Sequence, residues 1–474
     1  MNNAASVPTA KKSRLGRFLL YGALLGAAIV VLALAWFAVW RWQLRQSLNA
    51  QIAAIRAAGE PVNWTDLAKW PVVIPDSENA ALIYLEAIAL LPEESGTNKN
   101  RFLTGDDIPR RAQPIPEELR DKIKATAEAS QAALEVARSV TNAASSRYTV
   151  DFQTGAMTPL PFLQDLKRLA ITWSCEALLQ AEGADAAGAS QAVAESLKLS
   201  HSLDNEPVLV SQLVAVAIRT LACQSLERVL CRVSLSEDQL KALQEQFTHA
   251  ETNNWGIIGQ IGERALANEY MWLAQNDVRR MVELSNQSAP DEEKEELPYR
   301  NPGIGWRLIG FFDRDRNFYL KGMATNLAFL KVGPPTSLSS SNELYQISQR
   351  AKKGLYIMSA MFLPALSTLN VKDATLRANL RTAITALALE RWRLAHSGAL
   401  PESLAELVPA YLPAVPADPF DGQPLRYKKL ARGYAIYSIG PNQRDDGGRE
   451  IPPRSVKVPP EERKNYDIVF TVER

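Results

Sequence analysis

Four carboxylates fall in apolar, aromatic-rich stretches of this 474-residue chain: Glu263, Glu269, Asp313 and Asp315, close in sequence to Tyr270, Trp272, Phe311, Phe312 and Phe318. A pair of carboxyl groups in an apolar cleft can divide acid and base work between them, as in glycoside hydrolysis. The run Asp313-Arg314-Asp315-Arg316 also reads as a salt-bridged helix face, and that is the preferred reading. The three histidines, His201, His249 and His396, fall in separate predicted helices, and none has Glu-x-x-His or His-x-x-x-His spacing. Each reads as a surface or helix-terminal residue. Cys223 and Cys231 lie eight apart in one predicted helix. That spacing separates them by about 12 Å, too far for a disulfide, so they are expected as small buried hydrophobes. The sequence contains no Walker-type loop, nucleophile elbow or Ser-x-x-Lys. Gly303-Ile304-Gly305 lacks the third glycine of a dinucleotide site and follows no strand. An enzyme is not expected.

The element that must position everything else is the uncharged run Phe18 to Trp40, FLLYGALLGAAIVVLALAWFAVW. A helix over about 23 residues rises far enough to cross a hydrocarbon core roughly 30 Å thick. Lys11, Lys12, Arg14 and Arg17 precede it with no acid, whereas Arg41, Arg45 and Arg56 are more dilute beyond it. The positive-inside rule then places the amino terminus in the cytoplasm. Trp36, Trp40 and Trp42 mark the far boundary, where amphipathic rings prefer the headgroup level. A cleaved signal peptide is the competing reading. Its apolar core would be only about 7–15 residues long and followed by a small-x-small site, which Trp40-Arg41-Trp42 is not. The expectation is a retained anchor in a bacterial inner membrane, with the carboxy-terminal domain in the periplasm.

Over the whole chain, 53 basic residues against 52 acidic ones argue against a nucleic-acid partner. From Pro161 the pattern is helix after helix, with Leu163, Leu166, Ala170, Trp173 and Ala177 at three- and four-residue steps. Short connections between the helices suggest αα-hairpins. Val208 to Ile218 and Tyr356 to Leu369 are apolar but short, and read as core helices. Asn254 to Leu284 reads as one helix. Residues 289–305 are an acidic, proline-bearing loop, and Gly333 to Asn342 reads as a flexible connection. The predicted organisation is a cytoplasmic tail (1–17), a transmembrane helix (18–41), an α-helical ectodomain (42–340) and a small α+β module (341–474, core 374–474). The fold class is mainly α.

In the last hundred residues the period changes. Ala374 to Ser397 forms a long helix closed by Gly398, and Pro401 to Val408 a short one. Pro424 to Lys428, Tyr434 to Ser438 and Asp467 to Val472 read as three antiparallel strands. With Asp418-Pro419-Phe420-Asp421-Gly422-Gln423-Pro424 and the Asp-Gly-rich loop after Gly440, this stretch resembles the soluble domain of the major pseudopilin of type II secretion. The rest of the chain resembles bacterial envelope proteins of unassigned role. The resemblance implies a calcium site in the loop between the last strands, with Asn442, Asp445, Asp446 and Asp467 as its oxygen donors. It also implies a scaffold that meets protein partners in the envelope, linked to a secretion-type apparatus. A membrane-tethered hydrolase of envelope polymers, working through a carboxylate pair in the helical body, is the alternative. A deep cleft gathering two carboxylates, one with a raised pKa, would favour it.

Overall fold

A computed structural model describes residues 14–93, 103, 107–152, 159–288, 303–452, 459, 462 and 465–474. Most of the cytoplasmic tail and of the acidic 289–305 loop expected above therefore lies outside the described residues. Helix α1 (Arg14–Ala57) is 44 residues long and has two characters. From Phe18 to Trp36 its side chains are exposed on every side and almost all apolar. From Arg41 onward one stripe, Arg41, Leu44 and Leu48, is buried in the body. Those residues recur at three- and four-residue steps, as one face of a helix requires. The apolar half is a candidate membrane anchor by length and composition. The other half is a docked element.

The body begins with α2 (Trp64–Leu67), α3 (Ala80–Ala89), α4 (Glu117–Ala129) and α5 (Gln131–Arg138). Helices α6 (Phe162–Glu182), α7 (Ala186–His201) and α8 (Leu209–Leu230) then pack one on the next, and α9 (Glu237–Thr252) lies against α7. Local capping fixes their starts. Asp185 accepts from the amides of Ala187 and Gly188 at 3.1 and 2.9 Å, and Ser236 with Gln239 forms a capping box. Helix α8 is long and apolar enough to resemble a span, yet half of it is buried between its neighbours. This supports its role as a core helix.

A second group follows: α10 (Trp255–Asn276), α11 (Val278–Ser288), α12 (Gly303–Ile309), α13 (Phe311–Val332), α14 (Thr336–Lys353) and α15 (Ile357–Ala395). Two expectations are corrected here. The stretch Asn254 to Leu284 breaks at Asp277. The connection expected over Gly333 to Asn342 is already helical from Thr336, because Leu344, Ile347 and Ala351 bury one face of α14. Helix α15 starts 17 residues earlier than the predicted Ala374 and carries Pro364 inside it. At 39 residues it runs nearly 60 Å.

Strands β1 (Arg426–Lys429), β2 (Tyr434–Ser438) and β3 (Ile468–Val472) form one antiparallel sheet in the order β1-β2-β3. Tyr427 faces Ile436, which faces Phe470. Most of the sheet's buried side chains belong to the main core, while Ile468 packs in a small cluster with Ala374, Ala378, Phe420 and Ile439. Tyr434, Ile436, Phe470 and Val472 join one hydrophobic cluster with α6 to α9 and with Leu380, Leu387 and Leu389 of α15. A smaller cluster of Leu48, Met271, Tyr319, Met323, Leu344 and Leu363 packs around the docked half of α1. Helix α15 passes through both, so a single rod links the packing around the docked half of α1 to the sheet.

Candidate functional site

A groove of about 510 Å³ lies between α1 and α10, floored by α13. Arg45, Asn49, Ile52 and Arg56 share a stripe of α1 and form one wall. Asn268, Glu269, Trp272 and Asn276 of α10 form the other, and Arg316 and Asp313 lie at the base. One ion pair holds the walls together. The guanidinium of Arg41 donates to Asp313 Oδ2 at 3.1 and 3.2 Å and to the Arg307 carbonyl at 3.3 Å. Gln275 Nε2 donates to the other oxygen, Asp313 Oδ1, at 2.9 Å. Gly310, at φ +69°, passes so close to the Arg41 guanidinium that a Cβ would fall 1.7 Å from Nη1. The glycine is required both by its backbone and by this approach.

The four carboxylates singled out above are not gathered into one constellation. Both oxygens of Asp313 are engaged as described. Asp315 accepts from the amides of Met358 and Ser359 at 2.8 and 3.0 Å and so caps α15. Burial raises the Glu263 carboxyl above its usual range, offset by an amide hydrogen bond from Leu209. Burial also raises Glu269, with the Arg316 charge pulling the other way. The helix-face reading of Asp313 to Arg316 is corrected in one respect, since both acids bond to other elements: α1 and α10 for Asp313, and the start of α15 for Asp315. Of the four, Glu269 lines the groove with a carboxyl raised by burial.

The histidines are less isolated than their spacing suggests. His201 and His249 meet with ring centroids 5.0 Å apart, and His201 Nδ1 lies 2.8 Å from Asp204 Oδ2. Asp204 is also paired with the buried Arg219. Burial alone would raise the Asp204 carboxyl, but Arg219 and His201 outweigh it and hold it below the usual range. The two histidines are 48 residues apart in sequence, on helices whose packing no local pattern foretold. His396 stacks on Trp392 at the end of α15. Cys175, Cys223 and Cys231 are free and buried, as expected.

Asn442, Asp445 and Asp446 lie in the loop after β2, and Asp467 lies just before β3. Asp467 accepts from the amides of Gly448, Arg449 and Asp446 at 2.6, 3.3 and 3.4 Å. Burial raises its carboxyl, and those amides pull it back. Asn442 Nδ2 donates to Asp446 Oδ2 at 2.8 Å, and Asp445 Oδ1 accepts from the Gly447 amide at 2.9 Å. The Lys428 ammonium donates to the Gly447 carbonyl at 2.6 Å, which brings a positive charge to the loop. Among the described residues no group of three or more His, Cys, Asp or Glu side chains is placed to hold a metal ion.

The Asp418-Pro-Phe-Asp-Gly-Gln-Pro element has a structural job. The fully buried Asp418 carboxylate accepts from the Phe420 and Ile439 amides, each at 2.9 Å, and from the Ser438 hydroxyl at 2.8 Å. It also pairs with Arg426 at 2.7 Å. One carboxylate thus ties the turn to the end of β2 and the start of β1. No family model, curated protein or solved structure matches the chain.

Proposed function

We propose that this chain is a single-pass, membrane-anchored envelope protein whose helical body acts as an interaction and assembly scaffold. The observation that carries this reading is the continuity of α1. Its exposed apolar half runs without a break into a half that is packed on the body and pinned by Arg41 and Asp313. A flexible tether would leave the body free to swing. Here span and body are one rigid unit, and α15 extends that rigidity to the sheet. The carboxy-terminal sheet, with its pseudopilin-like order of helix, turn and strands, is the surface offered to a partner of a type II secretion-like apparatus. The amino terminus is assigned to the cytoplasm and the body to the periplasm on the charge bias around the span.

The hydrolase alternative draws on Glu269, a carboxyl with raised proton affinity in a groove. It lacks the second carboxylate, because both oxygens of Asp313 are occupied. The scaffold is therefore preferred. Alkaline carbonate extraction of cells making the full chain, with a compartment-sensitive reporter after Arg474, tests the proposal. Retention in the membrane with a periplasmic reporter signal is expected. Release into the soluble fraction overturns the anchor, and a cytoplasmic signal overturns the orientation.

A further inference from the structure

The end of the body from which α1 emerges carries a cluster of exposed apolar side chains with no role in its core. Helix α12 presents Trp306, Leu308 and Ile309, with Leu308 71 % exposed. The turn joining α14 to α15 presents Leu355, 70 % exposed, and Ile357, and Met361 follows one turn into α15. One segment reaches Arg41 and the other reaches the first turn of α13, which carries the partner of Arg41. The Arg307 carbonyl accepts directly from Arg41. Asp313, the partner of Arg41, is followed by Arg314, which bonds to the Gly354 carbonyl and lies 4.3 Å over the Tyr356 ring. Asp315 then holds the amides of Met358 and Ser359. The apolar segments therefore flank the point where α1 leaves the body, just beyond Trp36 and Trp42, which are themselves exposed.

We infer that residues 306–309 and 355–361 form a collar that sinks into the bilayer interface and seats the body on the membrane around its own anchor. The inference rests on the reading of α1 as a membrane span. Its warrant is that an exposed apolar cluster of this kind marks an interaction surface, and the surface adjoining a lipid-embedded helix is a lipid surface. The residue types fit that depth. Trp306 stands with Trp36 and Trp42 as an interfacial ring. Exposed Arg307, Lys352 and Lys353 flank the apolar side chains, where long basic stems reach phosphate groups. The opposite end of α13, at Val332, lies about 30 Å away along the helix and belongs to no such ring.

The test uses the full chain in phospholipid vesicles with single cysteines labelled by an environment-sensitive fluorophore. The native cysteines are buried and leave the background clean. Labels at Leu308→Cys and Leu355→Cys should lose most of their emission to nitroxide-bearing lipids and little to aqueous iodide. The loss should persist in uncharged vesicles, since the contact is apolar. A label at Val332→Cys should show the reverse pattern. A label at Leu32→Cys reports the span itself. Lipid quenching at residue 32 without quenching at 308 and 355 overturns the collar and leaves the anchor standing. No lipid quenching at 32 overturns the anchor reading instead. Protection of 308 and 355 from both quenchers also overturns the collar, because a second copy or another protein then covers the patch.

Discussion

Removing the Asp313 carboxylate should release the docked half of α1. Arg41 and Asp313 are about nine-tenths buried and meet at 3.1 Å, and the Arg307 carbonyl is the other acceptor for the guanidinium. Asp313→Ala deletes the counter-charge and also leaves the Gln275 amide without its carboxylate acceptor. Deleting one partner of a buried pair costs about 3–5 kcal/mol, because the remaining charge stays desolvated and uncompensated. If the docking equilibrium of α1 absorbs that cost, it shifts on the order of a hundred- to a few-thousand-fold, at about 1.4 kcal/mol per decade.

The assay is thiol protection in the membrane-embedded full chain. Leu48 is 5 % exposed and packs against α13, so a Leu48→Cys reporter reacts with a maleimide only when α1 lifts away. The reporter is present in both arms, so its own effect cancels. Protection of Cys at 48 should fall by the factor above in Asp313→Ala. It should recover to within about tenfold of the parent in the Arg41→Leu, Asp313→Leu double variant, since an apolar replacement of a buried pair is often neutral. Equal protection in the parent and Asp313→Ala would refute the reasoning and leave α1 held by packing alone.

Gly262→Ala should destabilise the fold by about 1–3 kcal/mol or more, seen as a lower thermal midpoint, because the new Cβ would fall 1.5 Å from the Pro207 carbonyl oxygen. Glu269→Gln should flatten the pH dependence of stability on the acid side. The folded-state pKa of Glu269 is raised, so the folded chain holds more protons there than the unfolded one. Stability from this group is greatest below its unfolded pKa and falls as pH rises through the folded pKa. The same variant should leave partner capture unchanged, whereas loss of an envelope-polymer cleaving activity would favour the hydrolase. In the loop, Asp467→Ala should lower the thermal midpoint by removing the acceptor of three amides, while a chelator should leave the parent midpoint where it was.

What was legible depended on whether the signal was local. The long apolar amino-terminal helix needed only composition over one run. Strand β2 is legible at Tyr434 to Ser438, because a short continuous run of apolar residues bounded by Gly433 is itself a strand signal. The helix-terminating role of Gly398 was equally local. Its φ is +89°, and its amide reaches back to the Arg393 carbonyl at 2.7 Å. The Gly333 to Asn342 stretch misled because serines are indifferent helix formers. In α14 burial of Leu344, Ile347 and Ala351 overrides that weak preference.

The groove was illegible for a different reason. Its key pair joins residues 272 positions apart, and an arginine beside a membrane span reads from sequence as a flanking charge. Asp313 likewise looked like half of an alternating surface run, when its true partners come from α1 and α10. A charged residue at the end of a span can therefore have two meanings, a stop against the bilayer or a bolt into the body. Burial separates them. Arg45 and Arg56 remain exposed and do nothing for docking, while Arg41 is buried and fixes the angle at which the span leaves. In the proposed collar, that angle decides which face of the body meets the lipid, so the ion pair that positions α1 also positions the collar.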